Sequence, residues 1–414
     1  MGESYLYLFL QLATLMLKGR AFKMIFDVQY DAYVVGSGLT GSIVARILAE
    51  TYKKKVLVLE RRNHIAGNIY DELDQNGILV QRYGPHIFHT QKNAIYDFFL
   101  RFGTWNNFSL ECMVWMNNKF TPSPFNFQTI DDYFSLDKAK KIKRHIHMAY
   151  PGRDQATIVD MLENNDVYVK EFANYLFEHD YSLYTAKQWG ISPSEIDISV
   201  LKRVPVLFSY ENGYFSDPFE AMPEKGFTEI IRSILNFPGI QVVTDTDACK
   251  YFSVDIKEKN ILLQGMPIQQ PVIFTGAVDE LLKYCFGPLP YRSLRFEYET
   301  HYTDSFQNAP VVAYPQEPGF TRITEYKKLP VQKMSGITTI AREFPVQFSH
   351  GDNMEPYYPI PTAENQRKFE MYREIIASVD YLHVCGRLGD YKYYNMDQAA
   401  ECALRLADEI GEKM

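Results

Sequence analysis

Two histidines, His86 and His89, sit three apart in Tyr83-Gly84-Pro85-His86-Ile87-Phe88-His89-Thr90, a spacing that a pair of metal ligands could also take. No nearby carboxylate or cysteine completes such a set, so no metal is expected, and a structural histidine is the ordinary reading of each. Tyr184 and Trp189, five apart in Tyr184-Thr185-Ala186-Lys187-Gln188-Trp189, would either fill a helix interface or stack on a nucleobase. Arg203 and Arg322 carry planar forks of donors suited to phosphate oxygens, although a lone arginine more often makes a surface ion pair. Tyrosine hydroxyls could donate hydrogen bonds at neutral pH. With 30 tyrosines in the chain, any one of them could equally be structural.

The element most able to position a ligand lies at Tyr30 to Glu60. An apolar run, Ala32-Tyr33-Val34-Val35, breaks into Gly36-Ser37-Gly38-Leu39-Thr40-Gly41, and Ile43, Val44, Ile47 and Leu48 then recur at helical spacing. This reads as a dinucleotide-binding strand, turn and helix. Gly36 allows the tight turn, Gly38 lets backbone approach a pyrophosphate, and Gly41 lets the helix pack on the sheet. The phosphates would sit on the helix N-terminus. A second buried run, Val56 to Leu59, ends in Glu60, expected on a ribose 2'-hydroxyl, with Arg61 and Arg62 directly after it.

The chain of 414 residues, 46% hydrophobic and 15% aromatic, has the length for two or three domains with filled cores. A net charge of -8 gives no general attraction to nucleic acid, so none is expected as a partner. Five widely spaced cysteines without a CxxC pair suit a reducing cytoplasm. Tyr5 to Leu17 is apolar but too short to span a bilayer, and it lacks signal-peptide features, so stable membrane insertion is not expected. It reads as a dispensable extension, 1–29, with Met24 as a candidate initiator.

Three separated stretches, 30–91, 222–288 and 365–414, carry the α/β pattern. The last includes a strand near Val384 and a helix whose Met396, Ala399, Ala400, Ala403, Leu404 and Ala407 form one face, with Asn395 as N-cap. Between them, 92–200 reads as a mainly helical insertion. The stretches 201–221 and 289–364 read as an antiparallel sheet, built from Val206 to Tyr210, Ser293 to Glu299, Val311 to Tyr314 and Ile337 to Ala341. The expected fold is thus α/β: a Rossmann-like nucleotide domain assembled from separated segments, with an inserted helical domain and an antiparallel β-sheet domain. By analogy of architecture, such an assembly suits FAD better than a nicotinamide cofactor.

From about Tyr30 to the C-terminus, the chain closely resembles the prokaryotic UDP-galactopyranose mutase family. The resemblance rests on Arg62-Asn63-His64-Ile65-Ala66-Gly67-Asn68, the histidine loop above, Tyr184 to Gly190, Glu355-Pro356-Tyr357-Tyr358-Pro359, and Gly386-Arg387 followed by Tyr393-Tyr394-Asn395-Met396. It implies a homodimeric flavoenzyme that interconverts UDP-galactopyranose and UDP-galactofuranose for cell-surface glycans. Reduced FAD would act through its N5 nitrogen, by a covalent flavin-galactose adduct.

The same resemblance assigns roles. It places Gly36, Ser37, Gly38, Leu39, Thr40, Gly41, Glu60, Arg61, Asn68, His86, Ile87, Gly386, Arg387, Tyr394, Asn395 and Met396 at FAD. It places Tyr184, Thr185, Trp189, Tyr214, Asn308, Tyr358 and Tyr393 at the sugar nucleotide, with Arg203 and Arg322 clamping its diphosphate. His86, Arg203 and Arg322 are the implied catalytic residues. Some members have aspartate in place of Asn395, glycine in place of Ala66 and Leu183, and arginine in place of Leu207, differences that bear on sugar specificity. Two rival functions fit parts of the pattern: an FAD oxidoreductase of the amine-oxidase type, and a noncatalytic nucleotide-sugar-binding protein.

Overall fold

The computed structural model describes residues 26, 28–190, 204–350 and 354–414. Arg203, the side chain of Trp189 and residues 1–25 lie outside the described residues. Phe26 and Val28 already pack on the apolar cluster around Tyr33 and Phe252. The folded body therefore includes residues assigned above to an extension ending at 29.

Five parallel strands form the nucleotide-domain sheet, in the order Ile240–Val243, Val56–Leu59, Ala32–Val35, Val272–Phe274 and Leu382–Val384. All three predicted segments contribute a strand. Side chains alternate between the two faces, as the strand period requires. Ala32, Val34, Val56, Val58 and Ile273 enter one cluster with the helices Leu39–Glu50, Phe227–Leu235 and Met396–Gly411. Tyr33, Leu57, Leu59, Val272 and Phe274 enter the other, under Phe369, Tyr372 and Ile376 of the helix Ala363–Ser378. Burial on both faces explains why these strands read as unbroken apolar runs.

The larger sheet has seven strands, in the order Tyr358–Pro359, Tyr291–His301, Thr338–Gln347, Arg322–Glu325, Val311–Ala313, Cys112–Met116 and Lys119–Ser123. Two features differ from the sequence reading. Cys112–Met116 and Lys119–Ser123 come from the stretch read as helical, and Cys112–Met116 runs parallel to Val311–Ala313, so the sheet is not wholly antiparallel. Of Val206 to Tyr210, the strand Pro205–Leu207 pairs with Gln155–Thr157 beside the helices, outside this sheet. The helical part proper follows Phe127: Phe127–Tyr133, Leu136–Ala149, Ile158–Leu162, Val167–Leu176, a π-helical turn Phe177–Tyr181, and Ser182–Trp189.

Local packing around the glycine turn is tight. A β-carbon on Gly41 would lie 2.0 Å from the Gly36 carbonyl oxygen, so only glycine lets this helix approach the first strand so closely. Ala66 shows the opposite mismatch, since it is fully buried and holds a left-handed φ of 75° that disfavours a side chain. Gly41→Ala should destabilise the protein by about 1–3 kcal/mol or more through overpacking. Ala66→Gly should be neutral or stabilise it by up to about 1 kcal/mol. Melting curves of the two variants check this, and a stable Gly41→Ala or a weakened Ala66→Gly would contradict it.

Candidate active site

The turn after Val35 opens into a cleft with about 1200 Å³ of non-atom space, part of it continuous with solvent. Gly38 caps the helix Leu39–Glu50 in extended conformation, with no side-chain cap and no acidic residue in the first turn. Its N-terminal N–H groups are therefore left for a ligand. The N-terminal end of the helix Met396–Gly411 meets the same cleft through Asn395, Met396 and Ala399. That second end already carries a capping box between Asn395 and Gln398 and Asp397 in its first turn, so the open positive end suited to an anionic ligand is that of the helix Leu39–Glu50. Gly38 and Gly67 nearly touch, since a β-carbon on Gly67 would lie 2.9 Å from the Gly38 α-carbon. Val35, Leu59, Ile69, Phe274 and Met396 supply apolar wall.

Glu60 is 5% exposed and is engaged by its own turn. One carboxylate oxygen accepts from the Ser37 N–H at 2.9 Å and the Ser37 hydroxyl at 2.8 Å, and the other accepts from the Arg62 N–H at 3.0 Å. It lines the cleft as well, so its part in holding the turn adds to the expected ribose contact. Arg61 pairs with Glu280 and Glu355, and Arg62 with Glu355 and Asn68.

His86 lies at the cleft wall, with Nδ1 2.9 Å from the Gly84 carbonyl. Burial, reinforced by the positive charges of Arg387 and Arg322, pushes its pKa down to about 4. It is neutral at pH 7. Through those two arginines it connects the cleft to a second cluster. Arg387 donates to the Tyr394 carbonyl at 2.7 Å and lies 4.8 Å from the Tyr393 ring and 5.5 Å from the Tyr358 ring. Tyr358 and Tyr393 stack with centroids 6.0 Å apart. Burial raises the Tyr358 pKa, against the opposing charges of Arg322 and Arg387, so its hydroxyl remains a donor.

Arg322 is fixed from behind by Glu343, with Nε at 2.8 Å and Nη2 at 2.6 Å from the same carboxylate oxygen. Its field reaches Tyr184 and Tyr358. Tyr184 in turn lies within reach of the charges of Asp180 and Glu343 and of Tyr214, so helix, strand and loop residues converge here. Lys187, one turn beyond Tyr184, donates to the carbonyls of Tyr314, Glu317 and Phe320. This ties the helix Ser182–Trp189 to the loop that leads into the Arg322 strand.

Comparison with known proteins gives the same picture over nearly the whole chain. Residues 180–393 match the UDP-galactopyranose mutase family model, and residues 34–102 match that of NAD(P)-binding Rossmann-like domains. A UDP-galactopyranose mutase of Mycoplasma pneumoniae is 32% identical over 388 residues, covering 92% of this chain and 96% of that protein. The chain belongs to the UDP-galactopyranose mutase family. It is a FAD-dependent isomerase. A dTDP-fucopyranose mutase of Escherichia coli is 31% identical, covering 89% of this chain and 96% of that one. A crystal structure of reduced UDP-galactopyranose mutase superposes with a TM-score of 0.68 at 17% identity, covering 94% of this chain and 95% of that one, which extends the likeness to the fold.

Of the residues that the mutase signature assigns to the cofactor, Gly36, Gly38, Leu39, Thr40, Glu60, Arg61, Asn68, His86, Gly386, Arg387, Tyr394, Asn395 and Met396 line the cleft. Ser37, Gly41 and Ile87 stand behind it. Ser37 holds Glu60, Gly41 packs the helix on the strand, and Ile87 packs on the adjoining core. Thr185 is half-buried on the helix that carries Tyr184. Asn308 is exposed, and among the described residues no contact joins it to the arginine and tyrosine cluster, whereas its neighbour Gln307 is buried against the Ala309, Pro310 and Ile323 carbonyls. His89 pairs with Asp217 and stacks on Phe215, a structural role, and the described residues contain no candidate metal cluster.

Sequence reading missed Thr246, Asp247, Ala248 and Cys249, which form the cleft wall beyond the strand Ile240–Val243, and Glu280. It also missed Asp180, 8% exposed on the π-helical turn, whose pKa burial pushes up to about 7 against the charge of Lys187. None of these carries a local motif.

Because His86 has a folded pKa below the ordinary 6.5, its contribution to stability is complete above pH 6.5 and is lost as pH falls towards 4. Imidazole NMR of the protein should show His86 unprotonated down to about pH 5. A midpoint near the ordinary histidine value would contradict the burial described here.

Proposed function

We propose that this mutase interconverts UDP-galactopyranose and UDP-galactofuranose, with FAD in the glycine-lined cleft and the sugar nucleotide against the adjoining cluster. The observation that carries this reading is Arg387, which lines the cleft and also packs on the Tyr358 and Tyr393 rings of the adjoining cluster. The cleft fits FAD on its own geometry: the open N-terminus of the helix Leu39–Glu50, a backbone cradle at Gly38 and Gly67, and apolar wall between.

Bound and reduced, FAD supplies a nucleophilic N5 nitrogen for the anomeric carbon, with no net redox change. Gly36 to Thr40 and Arg387 would hold its phosphates. The N-terminus of the helix Met396–Gly411, partly offset by Asp397 in its first turn, would favour negative charge on a bound flavin. Glu343 occupies the Nε and Nη2 edge of Arg322, which leaves Nη1 to hold the substrate diphosphate and to stabilise it as it departs. Arg203 is the proposed second member of that clamp. Tyr358, Tyr393 and Tyr214 donate to phosphate and sugar oxygens, and Tyr184, Thr185 and Trp189 border the nucleobase. Neutral His86 orients substrate without adding charge beside the anomeric carbon. A cytoplasmic site for the enzyme is supported by five cysteines, all free thiols. Homodimeric assembly and a role in supplying galactofuranose to surface glycans rest on the family resemblance.

The similarity to a dTDP-fucopyranose mutase gives a second reading of the substrate, with the same chemistry on another sugar nucleotide. Product chromatography with reduced enzyme separates the two, with UDP-galactofuranose expected to turn over at the higher kcat/KM. Arg322→Ala should lower kcat/KM by about a hundredfold or more while bound flavin is retained. An unchanged rate would remove Arg322 from the clamp, and preference for the dTDP sugar would replace the substrate assignment.

A further inference from the structure

Arg61 is the arginine that the mutase signature assigns to the cofactor, yet its side chain is 41% exposed, and Nη1 and Nη2 are engaged by Glu280 and Glu355. Its neighbour Arg62 is 14% exposed and held on three sides. Nε donates to one Glu355 oxygen at 3.2 Å, Nη2 lies 2.7 Å from the other, and Nη2 also donates to Asn68 Oδ1 at 2.8 Å. The Tyr83 ring packs against the guanidinium at 4.4 Å. Nη1 alone is buried with no partner among the described residues, and Arg62 lines the dinucleotide cleft. A buried charged donor left unpaired is costly, and such a group calls for a ligand atom or an ordered water as its partner.

We propose that Arg62 is a further cofactor-binding residue, donating through Nη1 to an oxygen of the bound dinucleotide, and that Glu355 is the positioning residue that turns this edge to the cleft. The inference rests on the reading of this cleft as the FAD site. The arrangement repeats that of Arg322, where a glutamate takes the Nε and Nη2 edge and leaves Nη1. Glu355 is suited to the task because its own backbone is fixed, its carbonyl accepting from the Ser293 hydroxyl at 2.7 Å. It is also two residues from Tyr357, which lines the cleft, and three from Tyr358, which stands in the substrate cluster.

FAD affinity of the holoenzyme, read from flavin fluorescence on release and from equilibrium dialysis, tests the proposal. Arg62→Met should weaken FAD binding by about ten- to a hundredfold. Glu355→Gln should weaken it less, and, compared in an Arg61→Met background so that the Arg61–Glu355 pair drops out, the double variant should bind no more weakly than Arg62→Met alone. If Arg62→Met does not fold, Arg62→Lys, which keeps the charge without the fork, should still bind FAD about tenfold more weakly. FAD affinity unchanged in these arginine variants would overturn the role of Arg62. Multiplying losses in the double variant would overturn the positioning role of Glu355. Gly38→Val, which puts a side chain into the cradle, separates the two levels of the account. If it retains FAD, the cleft assignment itself fails; if it loses FAD while Arg62→Met does not, only the inference about Arg62 falls.

Discussion

The buried carboxylate of Glu60 fixes the geometry on which the rest of the site depends. Its three acceptor contacts close the loop from the end of the second strand onto the Ser37 turn at the end of the first. A carboxylate this deeply buried needs such donors, because an unsatisfied one would be strongly destabilising. Once satisfied, it sets two directions at once. The turn aims the helix N-terminus at the cleft, and the contact with the Arg62 N–H starts the Arg61-Arg62 segment towards Glu355. The cofactor cradle and the loop bearing Tyr357 and Tyr358 are thereby joined through a short chain of charged hydrogen bonds.

Positive charge in the site is held rather than free. Arg322 is backed by Glu343 and Arg62 by Glu355, so each guanidinium keeps its Nε and Nη2 edge committed and is held in a set orientation. Preorganised donors of this kind stabilise a departing diphosphate without the reorganisation that mobile side chains would need. His86 belongs to the same electrostatic design. Burial and the positive charges of Arg387 and Arg322 keep it uncharged at pH 7, so the positive charge of this region comes from the arginines.

The nucleotide domain was legible in the sequence because its signals are local. A glycine turn between an apolar run and a helical stripe names a strand, a turn and a helix, and the later apolar runs at Val272 and Val384 complete the sheet whatever separates them. The second sheet was less so. Cys112–Met116 joins Val311–Ala313 across nearly two hundred residues, and no periodicity within either segment announces the other. The same holds for Val206, where apolar alternation marks a strand but cannot say which partner it takes. Site residues divide in the same way. His86 and Arg387 could be placed in advance from their motifs, whereas Glu343 lies outside every motif, and Lys187 and Glu355, although inside two of them, act through carbonyls and guanidinium groups brought close only by the fold. Ala66 shows a limit of another kind, since a small residue satisfied the motif by size while the backbone there takes a conformation better suited to glycine.

The central claim is that the cleft holds a flavin used for its nucleophilicity and not as a net electron carrier. Anaerobic stopped-flow spectroscopy tests it most directly, with the flavin reduced by one equivalent of dithionite and supplied with excess UDP-galactofuranose while flavin absorbance and product are followed together. The account predicts many turnovers per flavin, with the absorbance returning to that of the reduced form when substrate is exhausted, and negligible turnover by the oxidised enzyme. Stoichiometric reoxidation of the flavin with each product formed, or equal turnover by the oxidised form, would contradict it.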